Sequence, residues 1–225
     1  MFRPVLTIAA ALCSFAAFAQ VGPRRAVVRA SGEGVVAIKP DQAKVSVGVT
    51  TQAQTAQEAG DQNAAATSKV LGELRGLLGA NADIRTLNYS LSPRYEGNPA
   101  RLAGYTANNT IQVTVSDLNL PGRVIDTAVQ AGATNISGIS FSLKDPQPAR
   151  IQALRMATIQ ARAEAEAIAG GLGLRLGNFT VAQEGSAVTV TPFDTRTSGA
   201  GALTPIEVGN VDVRATVAIE AEMVQ

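Results

Sequence analysis

Apolar and polar positions along the chain follow two different periods, so strands and helices are both expected. Val45, Val47 and Val49 interleave with Lys44, Ser46 and Thr50, the pattern of a strand with one buried face. The cleanest run lies between Tyr105 and Val115. Tyr105, Ala107, Asn109, Ile111, Val113 and Val115 share one face, and Thr106, Asn108, Thr110, Gln112 and Thr114 share the other. Leu87, Tyr89 and Leu91 mark another strand, followed by a polar loop from Arg94 to Arg101. Ile139, Phe141 and Leu143 mark a further one. Two helices separate these strands. In the first, Thr55 and Glu58 have the spacing of a capping box, Ala59, Ala66, Val70, Leu74 and Leu77 hold one face, and Gly79 ends it. The second starts near Asn119, tolerates Pro121 in its first turn and stops at Gly132. From Ala43 to Lys144 the order is β-α-β-β-α-β, the split or ferredoxin-like arrangement of an antiparallel sheet with helices on one face. The expected class is α+β.

The flanking segments elaborate this unit. Val27 to Lys39 reads as extended, and the Pro40-Asp41 turn joins it to the next strand as an N-terminal β-hairpin. Gly32-Glu33-Gly34 inside it signals a bulge or a close backbone approach. It is no phosphate loop, because a strand follows it and no Gly-Lys-Ser/Thr is present. A long third helix is capped by Asp145, with Pro146 at its first position and Gly170, Gly171 and Gly173 at its end. Ile151, Leu154, Thr158, Ala161, Ala165, Ile168 and Leu172 are its expected inner face. Strand-like Leu176–Val181 and Val188–Val190 follow, then a loop rich in Ser, Thr and Gly from Thr195 to Thr204. The last strand alternates from Val211 to Met223, longer than the usual five or six residues. Such length predicts an edge whose spare amides pair with a second copy of the chain.

The N-terminus changes the chemistry available. Arg3, the apolar run Val5 to Phe18 and the small-x-small Ala17-Phe18-Ala19 form a secretory signal, with cleavage expected after Ala19 and delivery to the periplasm. The apolar run is too short for a membrane anchor, which needs about 20 residues. Cleavage removes Arg3 and Cys13, leaving equal numbers of acidic and basic residues and no Cys, His or Trp. Thiol chemistry, histidine bases and His/Cys metal sites are thereby excluded, and no cofactor is expected. A neutral chain also lacks the basic face that nucleic acid requires. No transmembrane segment is expected after cleavage.

Candidate chemistry is sparse. Arg85, Arg94 and Arg101, with Tyr95 and Tyr105, concentrate around one hairpin and form the candidate ligand site. Glu220 and Glu222 share a strand face, within reach of a cation or simply solvated. No Ser-x-x-Lys pattern accompanies Lys39, Lys44, Lys69 or Lys144, and Ser has no His partner.

Six short motifs occur in one order: Ser31-Gly32-Glu33-Gly34; Pro40-Asp41-Gln42-Ala43 with Gly48-Val49; the helix start from Thr55-Ala56 to Asn63; Asp83-Ile84-Arg85-Thr86; Leu91-Ser92-Pro93-Arg94-Tyr95; and Gly104-Tyr105-Thr106-Ala107. In this the chain resembles the SIMPL-domain family, long held as a domain of unknown function. The resemblance spans about Val27 to Met223 and implies one SIMPL-like α+β domain over residues 20–225, after a signal at 1–19. It implies a secreted or periplasmic protein with no agreed enzymatic activity, associated with oxidant tolerance and homo-oligomeric assembly; the leading expectation is a non-enzymatic periplasmic protein that supports oxidative- or envelope-stress tolerance through binding or homo-oligomeric assembly. It brings no catalytic residues. Met156 and Met223 are too few for a sacrificial scavenger, so protection is expected to be indirect. Two other readings stand beside this one: a ring- or channel-like structural protein of the envelope, and a periplasmic ligand-binding protein or hydrolase using the Arg/Tyr hairpin.

Overall fold

The computed structural model describes residues 25–185, 190–192 and 206–225. The expected signal with Cys13 and the loop from Thr195 to Thr204 lie outside the described residues. In chain order the elements are β1 (Val27–Ile38), β2 (Gln42–Ala53), α1 (Ala56–Leu78), β3 (Asp83–Glu96), β4 (Arg101–Val115) and α2 (Pro121–Ala131). Then come β5 (Asn135–Ser142), α3 (Gln147–Gly171), β6 (Arg175–Glu184), β7 (Val190–Pro192) and β8 (Val211–Val224). The strands form two antiparallel sheets, so the fold is α+β.

The alternating valines work as their period demands. β2 and β4 pair from Ala43↔Val115 to Ala53↔Tyr105 at the middle of a sheet ordered β3-β4-β2-β5. Val45, Val47, Val49, Ile111 and Val113 lie on one face and pack under Val70 and Leu74 of α1 and Val124 and Ala128 of α2. The Thr55 hydroxyl accepts from the Glu58 amide at 3.2 Å, which is half of the expected capping box. Asn63 is fully buried on α1, and its amide donates to the carbonyls of Val49 at 2.9 Å and Ala107 at 3.2 Å. The helix is thereby tied to both central strands at once. The segment expected as a polar loop from Arg94 to Arg101 is half ladder: β3 and β4 stay paired to Glu96↔Arg101, and residues 97–100 turn. Backbone pairing carries the strands beyond the helices, where Leu91, Tyr95 and Leu102 are exposed among polar residues.

The second sheet is ordered β1-β8-β6, with β7 also on β8. No N-terminal hairpin forms, because β1 and β2 belong to different sheets. β1 pairs instead with β8 along its whole length, from Val27↔Glu222 to Ile38↔Val211, without a register shift. Gly32-Glu33-Gly34 is therefore no bulge. The glycines permit a close approach: a Cβ on Gly32 would stand 2.0 Å from the Ala157 carbonyl oxygen, and one on Gly34 2.0 Å from that of Ala153. Both contacts are to the backbone of α3, which is why β1 is drawn to this sheet. The long last strand is correspondingly interior. β1 takes one side of it, and β6 and β7 share the other, so its length serves partners within the chain.

The inner face of α3 also departs from expectation. Its buried residues are Ala149, Ala153, Ala157, Ala161, Ala165 and Ala169, one every fourth position. Of the predicted face Ala161 and Ala165 are buried and Leu154 packs, partly buried, against the same cluster, while Ile151, Thr158, Ile168 and Leu172 are exposed. Glycines opposite the helix leave room for methyl groups and nothing larger.

The two sheets turn different chemistry to solvent. The open face of the β8 sheet is charged and paired: Arg25–Glu222 and Arg29–Glu220 at 2.6 Å, and Arg214–Glu33 at 3.1 Å. The open face of the β2 sheet carries Thr, Ser, Asn and Gln in cross-strand rows such as Thr50–Asn108–Ser90 and Ser46–Gln112.

Candidate functional site

The β3–β4 register decides how the predicted ligand residues sit. Arg85 lies near the start of β3, where its Nε donates to Asp83 Oδ1 at 2.8 Å. Nine residue steps along the strand separate it from Arg94, a span of about 30 Å. Arg94 pairs with Glu96 and donates to the Ala103 carbonyl oxygen at 3.4 Å. Arg101 stands opposite Glu96 in the ladder, and Tyr95 is 60% exposed beside them. Arg94 faces Gly104 while Pro93 faces Tyr105, so the Arg94 and Tyr105 side chains leave opposite faces of the hairpin. The structure thus gathers Arg94, Tyr95 and Arg101 at the tip, leaves Arg85 at the far end and turns Tyr105 away.

A groove of about 370 Å³ lies across β1, β8 and β6, bordered by Arg29, Ser31, Val181, Gln183, Ala218 and Glu220. Two carboxylates line it, Glu220 of β8 and Glu164 of α3. Glu220 accepts from Arg29 Nε at 2.6 Å and from the Thr180 hydroxyl at 3.1 Å. The Arg29 guanidinium, helped by Thr180, holds the Glu220 carboxyl below its ordinary range. A carboxylate so stabilised is a poor base, since its proton affinity has been lowered. Glu222 is likewise engaged by Arg25. The Glu220/Glu222 pair is therefore the acidic half of a cross-strand ion-pair ladder. Arginines spaced four apart at Arg25 and Arg29, set against glutamates in an antiparallel partner, were the signal for it. Among the described residues, no three His, Cys, Asp or Glu side chains cluster to hold a metal ion.

A second groove is apolar and lies on α3. Ile151, Leu154, Arg155, Thr158 and Ile159 line about 470 Å³ of it. Ile159 is 70% exposed, Leu172 63%, Ile151 49% and Met156 45%. Alanines take the inner positions; Leu154 packs at their edge, and Ile151, Met156 and Ile159 face outward. Periodicity read from Ile and Leu mistakes this face for the core; the four-residue alanine repeat was the better signal.

Comparison with known proteins places the chain. The SIMPL profile, described as a protein of unknown function (DUF541), matches residues 28–221. The chain belongs to the SIMPL family. It is 26% identical over 191 residues to the 26 kDa periplasmic immunogenic protein of Brucella melitensis, covering 81% of this chain and 76% of that protein. It is 30% identical over 150 residues to the uncharacterized protein YggE of Edwardsiella ictaluri, covering 65% of this chain and 63% of the relative. YggE of Escherichia coli K12 is 28% identical over 149 residues, 65% of this chain and 61% of that protein. No helix among the described residues is long and apolar enough to cross a membrane.

Proposed function

We propose that this SIMPL protein is a non-enzymatic periplasmic protein that supports oxidative- or envelope-stress tolerance through homo-oligomeric assembly. One observation carries the assembly reading: α3 rests on its own sheet through alanines and turns Ile151, Met156, Ile159 and Leu172 to solvent. Exposed apolar side chains gathered on one helix of this kind mark an interaction site. The same helix offers Ala163, Ala167 and Gly171 in four-residue steps between those side chains, so a second helix has room to approach closely. Removal of the signal leaves no net charge to keep copies apart. The periplasmic assignment is supported by the name of the Brucella relative and by the export signal read from the sequence. The non-enzymatic reading is supported by the ion-paired state of Glu220 and Glu222.

Light scattering of the mature protein at micromolar concentration tests the assembly. A multimeric mass that falls to that of a monomer in Ile159→Glu, with the helix content unchanged, is the expected result. A monomeric mass for the unaltered protein overturns it. The stress role is tested separately by a deletion strain, which should survive peroxide and envelope stress less well than its parent; equal survival counts against that role.

A further inference from the structure

The β2 sheet packs α1 and α2 on one face, and α3 packs on β1, β8 and β6, so among the described residues no helix covers its other face. At the centre of that face, Ser46, Thr50, Asn108, Thr110, Gln112 and Asn88 occupy three adjoining cross-strand rows. All six are polar and none is charged. Among the described residues charge flanks these six: Arg85, bonded to Asp83, closes the Ser46–Gln112 row on edge strand β3, and Lys44 and Arg94 lie beyond the rows.

Ordinary solvation does not account for this. The β8 sheet of the same chain solvates its open face with arginine–carboxylate pairs. Thr is a good strand former, but Asn is depleted in strands, so Asn88 and Asn108 are not there for propensity. Thr50 Oγ1 donates to Asn108 Oδ1 at 2.8 Å. Ser46, Thr110 and Gln112 hydrogen-bond to no described side chain, so their donors and acceptors are directed outward. The result is a nearly flat array of hydroxyl and amide groups, repeated at the strand spacing of about 4.8 Å.

We propose that this face binds a neutral polysaccharide strand. A charged ligand finds no counter-charge at its centre, and an apolar one finds no large apolar side chain. An extended polymer dense in hydroxyl and amide groups finds a donor or acceptor at every strand it crosses. Each such bond is individually weak because it replaces a bond to water, so affinity accumulates along the polymer and grows with its length.

The test is an amide-resolved NMR titration of the mature protein with N-acetylglucosamine hexamer, glucose hexamer and, as an anionic arm, polygalacturonate. Expected are shifts on β2 and β4 residues with a neutral hexamer, little changed between low and high salt, and weaker with the corresponding dimer. Response to the acetylated hexamer alone would assign a wall-type glycan; response to both neutral hexamers would assign a general neutral pyranose polymer. Thr110→Glu should weaken binding about tenfold by placing a charge under the ligand. Asn108→Ala should weaken it as well, with the unfolding midpoint of each variant checked independently. The proposal is overturned if no neutral hexamer shifts these residues, if only polygalacturonate does, or if both folded variants bind as the parent does.

Discussion

Under α1 and α2 the β2 sheet meets its helices through Val70, Leu74 and Val124, whereas α3 meets the β8 sheet through six alanines, set against Gly32 and Gly34 on β1 and against Val28, Val217 and Ile219 beside them. Both are helix-on-sheet layers, yet they draw on opposite ends of the side-chain size range. In the first, bulky side chains interlock and each removes much apolar surface from water. In the second, little side-chain surface is available, and contact comes from bringing the backbones together until only hydrogen fits at Gly32 and Gly34. This difference decides what each helix has left for the outside. α1 spends its large apolar residues inward, while α3 has no room for them there and presents them to solvent.

The comparison predicts that the two layers break in opposite directions. Loss of atoms should hurt the first most. Leu74 is fully buried, so Leu74→Ala should cost about 3–5 kcal/mol, read from urea unfolding. A much smaller loss would mean that the site collapses around the cavity. Gain of atoms should hurt the second. Gly32→Ala forces a methyl onto the Ala157 carbonyl and should cost about 1–3 kcal/mol. Gly48→Ala in the β2 sheet is the control, because its methyl meets Asn135 at an ordinary 3.4 Å. Equal effects at Gly32 and Gly48 would erase the distinction between the layers.

Ala161→Gly adds a milder test of the same contact. It removes one methyl from the seam and adds backbone freedom to α3, for about 1 kcal/mol. The smallest effect expected is electrostatic and confined to the β8 sheet. Glu220 titrates below its ordinary value because Arg29, then Thr180, stabilises its charged form. Its contribution is therefore present at neutral pH and lost as pH falls through the folded-state value. Arg29→Ala should move the Glu220 carboxyl upward in a carbon-13 NMR titration and flatten that acid dependence. An unmoved titration would show that Arg29 does not set it.

Much of the first layer is legible from the chain. The alternation from Tyr105 to Val115, the Thr55 cap and the stop at Gly79 each correspond to a local physical preference, and the tertiary structure agrees with each. The second layer is less legible because its signals are ambiguous when taken alone. Gly32 and Gly34 announce that something comes close without saying what. The alanines of α3 suit a buried seam or an exposed helix equally well. The ligand candidates Arg85 and Arg94 look adjacent in sequence, yet an extended strand separates them by its full rise per residue.

Periodicity, capping and turn chemistry are local, so the sequence by itself determined the α+β class, most of the element order and the face that β2 and β4 bury. Strand partnership is not local. That β1 joins β8 and not β2, that β8 lies inside its sheet, and that α3 turns its isoleucines outward were decided only by the tertiary structure. The reason is the fit between Gly32, Gly34 and the Ala153–Ala157–Ala161 seam, a match between segments more than a hundred residues apart that neither segment reveals alone.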